Sequence, residues 1–488
     1  MRFPVKLDRQ SEQTLHEQLY DGIRRAILSG ALPPGHRLPS SRELADLLEI
    51  SRSTVTDCYE QLLTEGYFEA RAGSGTFVTR QIQKTRPAER NAAGSSRGPR
   101  LTAHLSSYGK ALSAPLSMEN GKPEPDICFF GWRPAFDEVP ITQWTRVQGR
   151  RSRRIDPALL DFTQDPLGYK PLREAVTRYI SRSRGVKCNP EQVLIVLGLQ
   201  QAIDLVSRVH IEQGDAVAVE NPGYPLARKS FALAGGRIIP VPVDEAGLAV
   251  DQLSRSAARN IRLVYVTPSH QFPTGALMPL PRRLALLSWA KKSGAMILED
   301  DYDSEYRYSG KSIPALQGLD EGSSVIYVGT FTKVMFPALS IAYMVVPTGL
   351  ADIYARARTL ASDQVPLPLQ DSLAEFIDGG YLERHVKRMR SLYDQRRTAL
   401  VVSLEKHFGE RVLIRGDNAG LHLLGQFQTQ LSDAEIAGRA AKAGIGIVST
   451  ADYYCGRPAA GEFLLGYGNL TPDQIEDGIK RLARALGK

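Results

Sequence analysis

Five short runs rich in β-branched side chains recur at strand-like length: VLIVL at 193–197, AVAVE at 216–220, LVYVT at 263–267, AMILED at 295–300 and VIYVGT at 325–330. Such runs bury as strands with both faces covered. Helical stretches separate them. This alternation admits few architectures, and the expected one is a mostly parallel sheet coated by helices on both faces. Ligands of open sheets of this kind bind beyond the carboxyl ends of the strands. The residues just past each run are therefore where chemistry is expected. The last hundred residues mix helices and strands more thinly, as a smaller α+β lobe would.

The first eighty residues read differently. Leu15, Leu19, Ile23 and Ile27 recur every fourth position, the stripe of an amphipathic helix, and Gly30 with Pro33-Pro34-Gly35 ends it. A second helix is expected after Pro39, capped by Ser40 or Ser41 with Glu43 in its first turn. A third follows Ser51, with Val55, Tyr59, Leu62 and Leu63 facing inward. GYFEARAGSGTFVT then reads as two strands around Gly73-Ser74-Gly75. Three helices and a hairpin make a winged helix-turn-helix. A recognition helix enters the major groove by its first turn, which aims Ser51, Arg52, Ser53 and Thr54 at base edges and phosphates. Arg42 opens the preceding helix, where a guanidinium can grip the backbone or a guanine. Gly75 lets the wing approach the minor groove. The GSG loop lies between strands, so it lacks the strand-to-helix context of a phosphate-binding loop.

Charge distribution decides how the head can bind nucleic acid. The whole chain carries a net +8, yet residues 1–80 hold 10 Lys/Arg against 11 Asp/Glu. Binding by the head must rest on where its arginines sit. Residues 81–117 hold 6 basic against 1 acidic residue. With abundant Ala, Gly, Ser and Pro, residues 80–117 read as a flexible basic linker, spanning roughly 35 Å. The expected layout is a winged helix in 1–79, the linker, and an effector domain in 118–488. Within that domain a large lobe would cover about 161–350, and a small lobe about 118–160 plus 380–488. Four scattered cysteines without a CxxC pair argue against disulfides and zinc. No signal peptide or membrane-spanning run is seen, so a cytoplasmic protein without membrane contact is expected.

At the strand ends the side chains form a set. Lys333 lies in GTFTKVMFPALSIAY, three residues past VIYVGT. Asp300 ends AMILED, and Tyr302 follows it. Gly198-Leu199-Gln200 ends VLIVL and opens a helix. Tyr224 in ENPGYP follows AVAVE and could stack on a ring, and TPSHQFPTG ends another strand. A Schiff-base lysine, an anion for a pyridinium nitrogen and amides at a helix N-terminus are what pyridoxal 5'-phosphate requires.

Residues 14–79 closely resemble the GntR-type winged helix, which implies that Arg42, Ser51, Arg52, Ser53, Thr54 and Gly75 contact DNA. From about residue 118 onward, GTFTK, EDDYDSEYRY and TPSHQFPTG together resemble a fold-type I aminotransferase. The joined chain resembles the MocR/GabR-type transcription regulators. That resemblance implies Lys333 as the Schiff-base lysine, Asp300 as the pyridinium partner and Tyr302 as a donor to the ring oxygen. It also implies Thr330 and Thr332 beside Gly198, Leu199 and Gln200 at the phosphate. Its partners would be a double-stranded DNA operator, an amine effector (or the cofactor itself) and a second subunit in a head-to-tail homodimer.

Three positions depart from the family pattern. Ser340 stands where an arginine usually grips the phosphate, and Leu464 where FRLSF places an arginine for the substrate carboxylate. Thr163 replaces a tyrosine that reaches the partner's phosphate. Weaker cofactor retention is expected, because a charge-assisted contact worth about 1.5–3 kcal/mol is missing. Leu464 counts against transamination of ordinary α-amino acids. The reading therefore favours a sensor over a working transaminase that also binds DNA.

Overall fold

The computed structural model describes residues 3–81, 105–112, 125–130, 133–162, 165–255, 260–308, 310, 313–321, 323–362 and 364–487. The chain divides into two compact units, Met1–Ala103 and His104–Lys488. Thr163 and most of 80–117 lie outside the described residues. Within the expected linker, Ser107–Ala111 forms one short helix, whose N-terminal Gly109 N–H is accepted by Ser106 Oγ at 3.1 Å.

In the first unit the helices are Leu15–Leu28, Ser41–Leu48 and Arg52–Thr64, followed by antiparallel strands Phe68–Arg71 and Gly75–Val78. Local chemistry sets each start. Ser40 Oγ accepts from the Glu43 N–H at 3.2 Å while the Glu43 carboxylate accepts from the Ser40 N–H at 2.7 Å, a reciprocal cap. Thr14 and Glu17 repeat it on the first helix. The three helices and the hairpin share one core containing Leu19, Ile23, Leu44, Val55 and Leu62, all fully buried. Leu63 is only half-buried, because it sits at the edge of the inward stripe. Truncating a central member such as Leu62→Ala costs about 2–5 kcal/mol.

The second unit is built on an eight-stranded sheet. Its spatial order is Val193–Val196, Ala342–Val345, Val325–Thr330, Met296–Asp301, Ile261–Val266, Ala216–Asn221, Arg237–Asp244 and Gly247–Leu248. Five neighbouring strands, from Val325–Thr330 through Arg237–Asp244, pair in parallel. Ala342–Val345 is antiparallel to both of its neighbours, so Val193–Val196 runs with the parallel set. All five anticipated runs thus end at the same edge of the sheet. Apolar clusters cover both faces, as the β-branched runs require.

A smaller antiparallel sheet joins Val412–Arg415, His422–Phe427, Glu462–Gly466 and Val448–Ser449 in that order. The long helix Tyr381–Phe408 packs against Pro472–Ala485 beside it. Ile127–Cys128 pairs in parallel with Ile445–Gly446 and so belongs to this lobe. The helix Ile141–Ser152 packs against Leu367–Asp378. Arg151 forms a two-pronged ion pair with Asp371 there, at 2.5 and 2.6 Å, and Trp144 meets Phe376 edge-on at 5.6 Å. Among the described residues, no helix is long and apolar enough to cross a membrane.

Candidate cofactor site and nucleic-acid interface

At the carboxyl edge of the large sheet, Leu199, Tyr224, Tyr265, Phe272, Asp300, Tyr302 and Lys333 line one cavity. Five of these seven are residues singled out by their place after a strand. The choice of Asp300 over its neighbour follows from the period of two along a strand. Asp301 points to the other face, where the Arg184 Nε donates to its Oδ2 at 2.7 Å and the Tyr327 hydroxyl donates to the same oxygen at 2.7 Å. Asp300 instead accepts from the Tyr265 hydroxyl at 2.5 Å. Burial raises the Asp300 pKa to about 7, reinforced by Asp301, Asp303 and Glu220 and opposed by the Tyr265 hydrogen bond. Burial lowers the Lys333 pKa to about 8, against the pull of Asp303 and Asp300.

At Leu199 the cavity meets the start of a helix. Gly198 caps the helix Leu199–His210 with φ of 147°, a conformation that side-chain-bearing residues rarely adopt. A Cβ built there would meet nothing within 4 Å, so the helix N-terminus opens onto free space. Gln200 Nε2 donates to the Tyr224 hydroxyl at 3.1 Å, which joins this turn to the cavity wall. Thr330, which ends the strand Val325–Thr330, and Thr332 place their hydroxyls 2.9 Å apart. Exposed amides at a helix N-terminus and paired hydroxyls suit a phosphate. With Lys333 and Asp300 in one cavity beside them, the residues present fit pyridoxal phosphate.

Ser340 stands on the same side: its hydroxyl donates to the Leu197 carbonyl at 2.7 Å, next to Gly198. Leu464 is fully buried with Phe272 and Tyr453, and Tyr224 and Tyr302 pack against the three. The position that carries an arginine in the family pattern is therefore part of an apolar cluster that reaches the cavity through Phe272.

Several members of the site were not signalled by position. The Tyr302 hydroxyl lies 3.0 Å from His270 Nδ1, and that nitrogen also lies 3.0 Å from both oxygens of Asp303. The His422 ring, from the smaller lobe, approaches His270 at 4.9 Å. Glu220 accepts from the Thr267 hydroxyl at 2.6 Å and from Gln271 Nε2 at 3.2 Å. His270, Gln271 and Phe272 all lie in TPSHQFPTG, so the motif marked the segment without separating its roles. His422 lies in a strand with no pattern to set it apart.

On the first unit Ser51, Arg52 and Ser53 are exposed and Thr54 is half-buried, together forming the first turn of Arg52–Thr64. Ser51 is also the cap: its hydroxyl accepts from the Thr54 N–H at 3.1 Å. Arg42 is exposed in the first turn of Ser41–Leu48. Gly75 has φ of 105°, and a Cβ there would lie 3.5 Å from the Arg37 Nε. Arg37 thus joins the wing as a cation that the motif reading left out.

Residues 147–482 match the family described as aminotransferase class I and II, and residues 15–78 match the bacterial regulatory proteins of the gntR family. The chain is 37% identical to the probable rhizopine catabolism regulatory protein MocR of Rhizobium meliloti, over 98% of this chain and 95% of that one. It is 30% identical to the pyridoxine biosynthesis transcriptional regulator PdxR of Corynebacterium glutamicum, over 99% and 98%. Among solved structures, the kynurenine aminotransferase of Pyrococcus horikoshii superposes with a TM-score of 0.70 at 28% identity, over 75% of this chain and 91% of that one.

Proposed function

Because the chain belongs to the MocR-type regulators, transcription regulators in which a gntR-family head is joined to an aminotransferase class I and II domain, we propose that its second unit senses an amine and thereby alters operator binding by the first. The observation that carries this reading is one cavity that holds Lys333 and Asp300, with Leu464 buried in the apolar cluster of Phe272, which lines that cavity. Cofactor chemistry is kept, and the usual means of orienting an amino acid is not.

Pyridoxal phosphate, when bound, supplies an aldehyde that condenses reversibly with primary amines. Lys333 is the amine that would hold it, and a pKa of about 8 leaves a useful neutral fraction near neutral pH. Asp300 would keep the ring nitrogen protonated, oriented by the Tyr265 hydroxyl. Gly198, Leu199 and Gln200, with Thr330 and Thr332, would hold the phosphate. Tyr224 and Tyr302 would confine the ring, with the Tyr302 phenol directed to the ring oxygen. A sensor needs only that its ligand bind one conformation better than another. A head-to-tail homodimer would present two heads to paired half-sites, with Arg42, Ser51, Arg52, Ser53, Thr54 and Gly75 at the DNA. The similarity to a regulator named for pyridoxine biosynthesis favours a second reading, in which the cofactor itself is the signal.

The test is the absorbance spectrum of the purified protein before and after borohydride, with mass spectrometry of the Lys333 peptide. A yellow band fixed onto Lys333, an operator affinity that changes with amines, and loss of that response in Lys333→Ala are expected. An unchanged response in Lys333→Ala would overturn amine sensing. Sustained turnover of an amino-acid and keto-acid pair would make the protein a transaminase that also binds DNA.

A further inference from the structure

The surroundings of the reactive amine restrict which amines can approach it. Phe272 is central: its ring meets Tyr224 and Tyr302 edge-on at 5.9 Å each, and Tyr453 at 5.3 Å. Phe272, Tyr453 and the fully buried Leu464 form one apolar cluster, against which Tyr224 and Tyr302 pack. An apolar surface of this kind attracts hydrocarbon and offers a carboxylate no compensation.

Charge points the same way. Among the described residues lining the cavity, Lys333 is the only Lys or Arg. Asp300 lines it too, and the buried Asp303 and Glu220 lie close enough to act on Asp300 electrostatically. Two arginines of the surrounding elements have other partners. Arg184 donates to Asp301 and to the Ser269 hydroxyl. Arg228 donates to the Asp452 carbonyl at 2.9 Å and to Cys455 Sγ at 3.1 Å. A carboxylate entering this space would lose its hydration, meet no guanidinium among the described lining residues and face Asp300, with Asp303 and Glu220 buried nearby. An ammonium would be drawn in by the same acids, and a neutral carbon frame would be accepted by the aromatic wall.

We infer that the effector is a primary amine without a carboxylate, carried on a neutral, largely apolar frame that packs against Phe272, whose ring Leu464 backs. This rests on the amine-sensing reading above and specifies the ligand class of that site.

The test uses the full-length protein loaded with pyridoxal phosphate and a matched pair of probes. 3-Methylbutylamine is L-leucine without its carboxylate, so the pair isolates that group. Each is titrated while the cofactor absorbance band and the affinity for the protein's own promoter DNA are followed. The amine is expected to reach half-effect at a concentration at least tenfold below leucine. Leu464→Arg is expected to reverse the order, and the wild-type comparison decides the matter even where that variant does not fold. Leucine acting as well as or better than the amine would overturn the inference and leave amine sensing standing. A loaded protein indifferent to both probes would overturn amine sensing and the inference together.

Discussion

His270 and Asp303 form a buried pair in which the imidazole Nδ1 lies 3.0 Å from both carboxylate oxygens. Asp303 acts beyond that pair, because it is also the larger of the two charges that oppose the lowering of the Lys333 pKa. An anion near an ammonium favours the protonated form. Asp303→Asn keeps a polar partner for His270 and removes the charge. The Lys333 pKa is expected to fall further below about 8. The pH dependence of cofactor uptake by the stripped protein reports this: its midpoint should move down in the variant. An unmoved midpoint would show that Asp303 does not reach the amine.

Ser340 has φ of 50°, a left-handed backbone that serine and arginine bear at similar cost because both are unbranched at Cβ. Ser340→Arg therefore introduces a guanidinium beside Gly198 without new backbone strain. Loss of the hydrogen bond to Leu197 costs about 1 kcal/mol, while a charge-assisted phosphate contact is worth about 1.5–3 kcal/mol. The variant is expected to bind pyridoxal phosphate several-fold to tenfold more tightly in an absorbance titration. Equal affinity would mean that the phosphate is held elsewhere.

Neighbouring residues in the head should separate by what they break. Ser51 Oγ caps its helix, so Ser51→Ala is expected to lower the stability of the head by about 1 kcal/mol. Arg52 is exposed, so Arg52→Ala should leave stability unchanged and remove specific operator binding, with a smaller salt dependence. Thermal melts beside binding titrations at two salt concentrations distinguish the outcomes. Tight, specific binding by Arg52→Ala would refute the assigned recognition helix. The cofactor spectrum should be the same in both variants.

His422 is fully buried, and burial, with His270 and Lys333 nearby, holds its pKa well below 6.5. The folded protein keeps this imidazole neutral where the unfolded chain has already taken a proton. Its contribution is fully present above the unfolded value of about 6.5 and is lost as pH falls below it. Between pH 7.5 and 5.5 that loss is about 1.4 kcal/mol. The ring packs edge-on against Phe272 at 5.6 Å, a place a phenyl ring also suits. His422→Phe is expected to show a smaller drop in melting temperature over this interval than the wild type. An identical drop would mean that His422 takes its proton as readily folded as unfolded.

Much of the protein was legible in its sequence because the signals are local. Ser40 and Glu43 cap one helix from three residues apart, and the β-branched runs name five strands whose ends hold Gly198, Tyr224, Asp300 and Lys333. The strand Arg237–Asp244 carried no such signal. Its RIIPVPVD sequence places Pro240 and Pro242 inside a strand, where each removes a ladder donor, and it is tolerated near the sheet's edge beside only the two-residue strand Gly247–Leu248. What only the tertiary structure decided are the partnerships between distant positions. Arg184 claims Asp301 and leaves Asp300 for the cavity, across 117 residues. His422 reaches His270 from the smaller lobe, and Leu464 packs in one buried cluster with Phe272 and Tyr453. Side-chain period and capping act over one turn or one strand and are written in neighbouring letters. A cavity's charge and polarity depend on which strands lie side by side, and that is set by burial of the whole core.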